Sequence, residues 1–262
     1  QEETDAAYIS KKPGLMHACG HDAHVATGLT VAKMITQLKK ELAGNFMLVF
    51  QPAEEMGSGA LAMIEDGVLA DPKPDYAMGL HVWSPMPTGT VGITSGPVMA
   101  NAYSFAITVK GQGGHGAMPQ EARDPVIASA QIILALQTIV SRILSPLESG
   151  VISVTVVQGG TAGNIIPDKV EMKGTMRAFS PDVAARMQAA VKRICDDVAR
   201  ANQCEAEFKI HNDAIAVVND GKVVEAAQKA FRVLSPEGEL VDNYQVLASE
   251  DMSYFLNAVP GV

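Results

Sequence analysis

The chain has 262 residues, of which 47% are hydrophobic and 19% charged, so it can bury a core without disulfides. Its 20 Lys and Arg residues against 29 Asp and Glu residues give a net charge of −9, which argues against nucleic acid or an anionic membrane as a partner. No segment approaches the roughly 20 consecutive apolar residues of a membrane-spanning helix. Three cysteines, an odd count, favour a reducing, cytoplasmic setting.

The first part of the chain is predicted to alternate between helices and strands. Apolar residues recur at spacings of three and four over residues 22–42, which predicts a helix with one apolar face. The continuous apolar run at 46–50 predicts a strand buried on both faces, as in a parallel sheet. A short helix at about 58–69 and a strand at 76–80 follow. This order is typical of an α/β layer.

From about residue 98 the pattern changes to six elements in the order β-α-β-β-α-β, which predicts a ferredoxin-like split unit. We therefore expect a discontinuous domain of residues 1–98 and 212–262, including a helix at 222–234, with a satellite domain of residues 99–211 inserted in it. The six elements are a strand at 102–110, a helix at 125–144, strands at 151–157 and 170–178, a helix beginning at Ser180, and a strand at 204–211.

Three histidines and a cysteine fall within eight consecutive positions just before the first helix. Cys19 and His21 are two residues apart and can share one site across a tight turn at Gly20, whereas His17 and His24 are expected to be supporting groups. A thiol at a helix N-terminus is expected to have a lowered pKa, and thiolate with imidazole suits zinc or a similar divalent ion. The alternative is a capping loop whose histidines only form hydrogen bonds.

Acidic and imidazole groups also follow two predicted strands. Glu54 and Glu55 come directly after the apolar run, and His81 ends the strand at 76–80. Ligands gather beyond the carboxyl ends of strands in open α/β sheets, so these groups are expected to meet Cys19 and His21 at one edge. One carboxylate can bind metal while its neighbour handles protons. The alternatives are a solvated surface pair and a capping histidine.

Three candidates lie in the second unit. The glycine-rich segment 111–116 is not a dinucleotide loop, because no helix opens directly after it and no acidic residue lies about 20 positions beyond it. Its glycines free the backbone to present His115. Asn164 and Arg177 are candidates to hold an anionic substrate group, since guanidinium binds carboxylate through two parallel hydrogen bonds. Alternatively they are a turn residue and an exposed strand charge.

Taken in order, these segments resemble the M20 family of metallopeptidases and amidohydrolases, in the branch that hydrolyses N-acyl amino acids, hippurate or auxin conjugates. The resemblance covers essentially the whole chain. The segments that carry it are Met16–His24, Gln51–Glu55, Gly79–His81, Gly113–His115, Asn164–Pro167, Gly174–Arg177 and Ser249–Asp251.

The resemblance implies a role for each candidate residue. Cys19 would bridge two divalent metal ions, with His21, Glu55 and His81 as further ligands. Glu54 would be the catalytic base. The satellite domain would form a homodimer or tetramer in which His115 can reach a partner's active site. The residues that grip the substrate carboxylate would be Asn164 and Arg177.

The chain departs from the family pattern at both ends, and both ends are expected to be cut. The acidic segment that usually precedes the cysteine motif is absent, and a further histidine ligand is expected beyond Val262. Zinc is the expected ion given the thiolate, with manganese, cobalt or nickel as alternatives. The predicted activity is hydrolysis of N-acyl amino acids. The alternatives are a dipeptidase or carboxypeptidase, or a metal-binding regulatory protein without turnover.

Overall fold

The computed structural model of the protein describes residues 2–262, which form a mixed α/β fold. In chain order, the helices are α1 (His21–Leu38), α2 (Gly59–Glu65), α3 (Pro125–Thr138), α4 (Pro181–Ala201), α5 (Gly221–Leu234) and α6 (Met252–Ala258). The strands are β1 (Thr90–Gly92), β2 (Gly96–Met99), β3 (Asn101–Lys110), β4 (Gly114–His115), β5 (Gly150–Gly159), β6 (Ile165–Ile166), β7 (Lys169–Ala178), β8 (Glu205–Ala214), β9 (Val217–Asn219) and β10 (Glu239–Val241).

The largest sheet is antiparallel and has the strand order β5-β7-β3-β8. Together with α3 and α4, its strands follow one another in the order β-α-β-β-α-β that the sequence predicts. Alternate residues of β3 and β7 face the two helices and are buried, so one contiguous apolar core forms between sheet and helices. Fully buried members of this core include Ile107, Val109, Ile132, Leu136, Met172, Met176 and Val191.

Helix α3 begins where the sequence predicts. The Asp124 carboxylate accepts hydrogen bonds from the backbone N–H groups of Val126 and Ile127, and Pro125 occupies the first turn. A π-helical turn extends the helix to Ile143. By length and composition alone this 19-residue stretch could cross a membrane, but its inner side packs into the core of the sheet. A core helix satisfies the same criteria, so they are weak grounds for a membrane span.

The remaining residues form smaller units. Strand β1 pairs in parallel with β10, and β2 pairs antiparallel with β9. The predicted helix at 222–234 is confirmed as α5, where the Asp220 carboxylate accepts from the N–H groups of Lys222 and Val223. The first helix is also confirmed, but it ends at Leu38, and none of its residues is buried.

Two strand predictions in the first part of the chain are wrong. The run at 46–50 is not a strand, and Phe46 and Phe50 are 55% and 46% exposed. An apolar run becomes a strand only when another strand supplies hydrogen bonds, and none of the residues 2–262 pairs with this one. Residues 76–80 form only an isolated parallel bridge between Ala77 and Gly261, which still ties the segment leading to His81 to the C-terminal residues.

Candidate metal centre

Three segments of the chain bring thiol, imidazole and carboxylate groups together. Cys19 and His21 stand at the start of α1, Glu54 and Glu55 lie in a short 3₁₀ turn, and His81 lies in the loop after the bridge at Ala77. The Cys19 Sγ atom is 3.3 Å from His81 Nε2. His21 Nε2 is 3.6 Å from Glu54 Oε2 and 3.8 Å from Glu55 Oε1.

These distances form two overlapping groups of possible metal ligands. Within each group the ligand atoms lie within 4.8 Å of one another: Cys19, His21 and His81 in one, and His21, Glu54 and Glu55 in the other. Atoms bonded to one zinc ion at about 2.3 Å for sulfur and about 2.0–2.1 Å for nitrogen lie about as far apart as Cys19 Sγ and His81 Nε2. The donor set therefore fits a divalent ion, and His21 is common to both groups.

The His81 ring is oriented for coordination by its own loop. Its Nδ1 lies 2.6 Å from the carbonyl oxygen of Val82, so an Nδ1–H donates there and leaves the Nε2 lone pair facing Cys19. The Val82 N–H in turn donates to His24 Nε2 at 3.0 Å. Such hydrogen bonds fix the tautomer and direction of a ligating imidazole. His24 thus supports the loop, whereas His17 is exposed and lies outside both groups.

Gly20 allows the turn at Cys19 to approach the His81 loop. Its φ angle is 79°, in the left-handed region that favours glycine. A Cβ atom there would lie 2.4 Å from Val82 Cγ2, closer than packed atoms allow. Any larger residue at position 20 would therefore push the two segments apart.

The expectation of a lowered thiol pKa is wrong. Burial raises the pKa of Cys19, and the negative charges of Glu55, Glu54 and Glu250 raise it further. These carboxylates outweigh the start of α1, because they are full charges and the helix end is a partial one. The same excess of negative charge favours a divalent cation, whose own charge would reverse the effect on the thiol.

A third group of acids adjoins the first two and adds Glu250 and Asp251, to which the sequence assigns no site role. The carboxylates of Glu54, Glu250 and Asp251 lie within 4.8 Å of one another. Burial raises the pKa of Glu54, and Glu55 and Asp251 add to the shift. Burial and the charge of Glu54 raise the pKa of Glu250 to about 7. The signal was the segment Ser249–Asp251, which carried the resemblance without an assigned function.

His115 and Asn164 lie together, outside the ligand groups. Strand β4, which carries His115, pairs with β6, and the Gly116 N–H donates to the carbonyl oxygen of Asn164 at 2.8 Å. His115 is exposed, and its Nδ1 accepts from the Ala117 N–H at 3.1 Å. The pair lies beside the end of the four-stranded sheet where β3 ends at Lys110 and β7 begins at Lys169.

Arg177 lies at the opposite end of the four-stranded sheet, where it pairs with Ala102. Burial lowers the pKa of its guanidinium, and the nearby charge of Asp213 opposes that shift. A Cβ atom on Gly57 would be 2.8 Å from the Asp213 carbonyl oxygen, so the end of β8 contacts the segment that carries Glu55. Arg177 therefore lies at the end of the sheet whose strand β8 contacts the segment that carries Glu55.

A mixed α/β fold whose thiol, imidazole and carboxylate groups meet at one place is the arrangement of a metal-dependent hydrolase. The chain belongs to peptidase family M20/M25/M40, whose family model matches residues 1–262. It is 38% identical over 261 residues to the N-acetylcysteine deacetylase of Bacillus subtilis (strain 168), and 37% identical over 269 residues to the IAA-amino acid hydrolase ILR1-like 4 of Arabidopsis thaliana. Each match covers 100% of this chain, which spans 68% and 60% of the two relatives' lengths.

The fold is similar to that of a solved family member. The structure of the Bacillus subtilis YXEP protein, described as a dinuclear metal binding peptidase from the M20 family, matches with a TM-score of 0.84 at 35% sequence identity. The match covers 100% of this chain and 66% of that one. The family and amidohydrolase branch expected from the motifs are confirmed, and divalent metal is the cofactor class that the ligand groups and this neighbour support.

Proposed function

We propose that the full-length protein is a metal-dependent amidohydrolase that cleaves N-acyl amino acids to a carboxylic acid and a free amino acid. The observation that carries this proposal is the 3.3 Å approach of Cys19 Sγ to His81 Nε2 beside a pair of carboxylates. The names of the two relatives, a deacetylase and an amino acid conjugate hydrolase, support the substrate class.

The proposed metal ligands are Cys19, His21, Glu55 and His81, which together would hold two divalent ions. The neighbour described as dinuclear supports two ions. The thiolate favours zinc, and manganese, cobalt or nickel suit the same donors. Ions bound there would polarise the substrate carbonyl and make a water molecule acidic enough to be deprotonated near neutral pH.

Glu54 is the proposed general base. Its carboxylate accepts the proton of the attacking water and then donates it to the departing amine nitrogen, so one group serves as base and acid in turn. Burial beside other acids raises the pKa of Glu54, which brings its proton affinity closer to that needed for both steps. The side chain of Glu55 is more exposed, 68% against 22% for Glu54. Glu54 is therefore the better shielded from bulk water.

The second unit supplies the proposed substrate contacts. Arg177 would bind the carboxylate of the substrate. Asn164 lies beside His115 at the opposite end of the sheet, so it would join that contact only from a partner subunit, where His115 would donate a hydrogen bond to the oxyanion. Since His115 lies outside the ligand groups, we propose that it acts in the active site of a partner subunit, in a homodimer or tetramer. Residues 99–211 would then be a ferredoxin-like satellite domain inserted into a domain of residues 1–98 and 212–262. Three free thiols support a cytoplasmic setting.

The test is turnover and metal content of Glu54→Gln in the full-length, metal-loaded protein. General-base catalysis contributes about 10²–10⁴-fold, so turnover of N-acyl amino acids should fall by that factor while metal content is unchanged. Glu225→Gln, an exposed change on α5, is the control. Equal loss of metal and turnover would contradict the assignment and make Glu54 a ligand.

Peptide hydrolysis is the second candidate, because the similar solved structure is described as a peptidase. Assaying N-acyl amino acids beside free dipeptides separates the two activities. Metal-loaded protein that cleaves neither would instead support a metal-binding regulatory protein.

A further inference from the structure

We infer that Asp251 is a positioning residue that holds both ends of the carboxylate loop, defined here as residues 52–59, which carries Glu54 and Glu55. The inference rests on the proposed function for its consequence, since it concerns the placement of the proposed base and ligand. It assigns Asp251 a role distinct from metal binding and proton transfer.

The two carboxylate oxygens of Asp251 accept hydrogen bonds from residues on the two sides of the loop. Asp251 is 1% exposed. Its Oδ1 accepts a hydrogen bond from the Gln51 side-chain amide at 2.5 Å, directly before the loop. Its Oδ2 accepts from the backbone N–H of Ala60 at 2.9 Å, directly after the loop. One buried carboxylate, distant in sequence, thus ties together the two residues that flank the loop.

The loop needs such a tie because its backbone is folded back on itself. Ala53 has a φ of 57°, in the left-handed region that non-glycine residues seldom adopt. A Cβ atom on Gly59 would lie 1.6 Å from the Pro52 carbonyl oxygen, so the loop's ends are in direct backbone contact. Without an external tie, relaxation of Ala53 would open this closed turn and move Glu54 and Glu55.

The hydrogen bonds also distinguish Asp251 from the proposed ligands, although its carboxylate lies within 4.8 Å of those of Glu54 and Glu250. Both of its oxygens already accept from protein donors, whereas Cys19 Sγ and His81 Nε2 face each other across the centre. Asp251 therefore acts on the centre through the loop, as carboxylates that hydrogen-bond around metal ligands commonly do.

The experiment is a Co²⁺ titration of the full-length protein, monitored by the thiolate-to-cobalt absorption band. It compares the wild type with variants that remove the hydrogen bond between Gln51 and Asp251 or exchange its donor and acceptor. Asp251→Asn loses one acceptor and should weaken Co²⁺ binding about 10–100-fold, the usual effect of losing a hydrogen bond that holds metal ligands in place. In the double variant Gln51→Glu with Asp251→Asn, the new asparagine can donate to the new carboxylate and still accept from Ala60. Because both contacts return, its affinity should recover to within about threefold of wild type.

Asp220→Asn is the matched control, because Asp220 also accepts from two donors but caps α5. It should lower the unfolding midpoint slightly and leave Co²⁺ affinity unchanged. If Asp251→Asn proves too unstable, Gln51→Ala removes one tie and should weaken Co²⁺ binding about 3–10-fold. Wild-type affinity in whichever of these two variants folds, or a folded double variant that stays as weak as Asp251→Asn, would overturn the inference.

Hydrogen exchange of the loop amides provides a readout that does not depend on metal. Asp251→Asn should speed exchange at residues 53–58 at least about tenfold, and the double variant should restore it. A wild-type protein that binds no Co²⁺ would overturn the proposed function, and the exchange data would still decide whether Asp251 holds the loop. Unchanged exchange in Asp251→Asn would overturn the positioning role.

Discussion

The sheet unit (β3, α3, β5, β7, α4 and β8) and the part of the chain that carries the metal centre are held together by different forces. In the sheet unit, side chains from every strand and both helices meet in one apolar core, with Ile132 and Met172 fully buried. In the other part, α1 has no buried residue, and the site segments meet through glycine contacts and polar hydrogen bonds.

Stability and chemistry therefore depend on different sets of contacts. An apolar core tolerates no polar cluster without cost, because buried charged groups must be paired or neutralised. The site instead gathers acids and imidazoles around backbone turns, where their spacing depends on a few directional hydrogen bonds. Substitutions in the two parts should therefore have different consequences, which three variants test.

The largest expected effect is on stability and comes from the sheet unit. Ile132→Ala removes a fully buried side chain and should lower the free energy of unfolding by about 2–5 kcal/mol. Leu234→Ala, at a residue of α5 that is 84% exposed, should change it by less than about 0.5 kcal/mol. Denaturant unfolding of the full-length protein measures both, and equal losses would contradict the contrast between core and surface.

An intermediate effect is expected from Arg177, the proposed substrate contact of the sheet unit. Arg177→Met keeps an extended apolar side chain but removes the proposed carboxylate contact. The KM for an N-acyl amino acid should rise about 10–100-fold with kcat changed much less, since the contact is present in ground and transition states alike. Arg186→Met, at an exposed ion pair on α4, is the control. A fall in kcat without a change in KM would instead place Arg177 in the chemical step.

The smallest effect is a pH dependence of stability in the metal-free protein. Burial and the charge of Glu54 raise the pKa of Glu250 from 4.5 to about 7. The folded protein thus binds this proton more tightly than the unfolded chain, so stability falls as pH rises between these two values. In Glu250→Gln the decrease of Tm between these two pH values should be smaller by a few degrees, as measured by thermal unfolding at several pH values in that range. An unchanged slope would show that Glu250 titrates normally.

Much of the sheet unit could be predicted because its signals are local. Neighbouring residues give both the alternation of apolar and polar side chains at 170–178 and the helix start at Asp124–Pro125. The strand and the helix form as expected. The prediction of a strand at 46–50 failed for the opposite reason. Its five apolar residues do not encode a pairing partner, and a strand depends on one.

The candidate centre was predictable in its ligand types but not in its supporting contacts. Cys19, His21, Glu55 and His81 could be chosen because their chemistry suits metal. Two supporting contacts join residues that are distant in sequence: the buried hydrogen bonds of Asp251 and the contact of Gly20 with Val82. A local sequence pattern therefore cannot predict them. The rise in the pKa of Cys19 has a similar origin, because it comes from burial in the folded chain and from acids of other segments.

The most direct test of the whole account is the absorption spectrum of the full-length protein with Co²⁺, compared with that of Cys19→Ser. If the thiol, imidazoles and carboxylates form one cation site, the wild-type protein shows an intense thiolate-to-cobalt band that is lost in the variant, and Co²⁺ affinity falls at least about tenfold. Cys204→Ser, at a buried thiol of the sheet unit, leaves the band unchanged. A wild-type spectrum without this band, or one that survives in Cys19→Ser, would contradict the account.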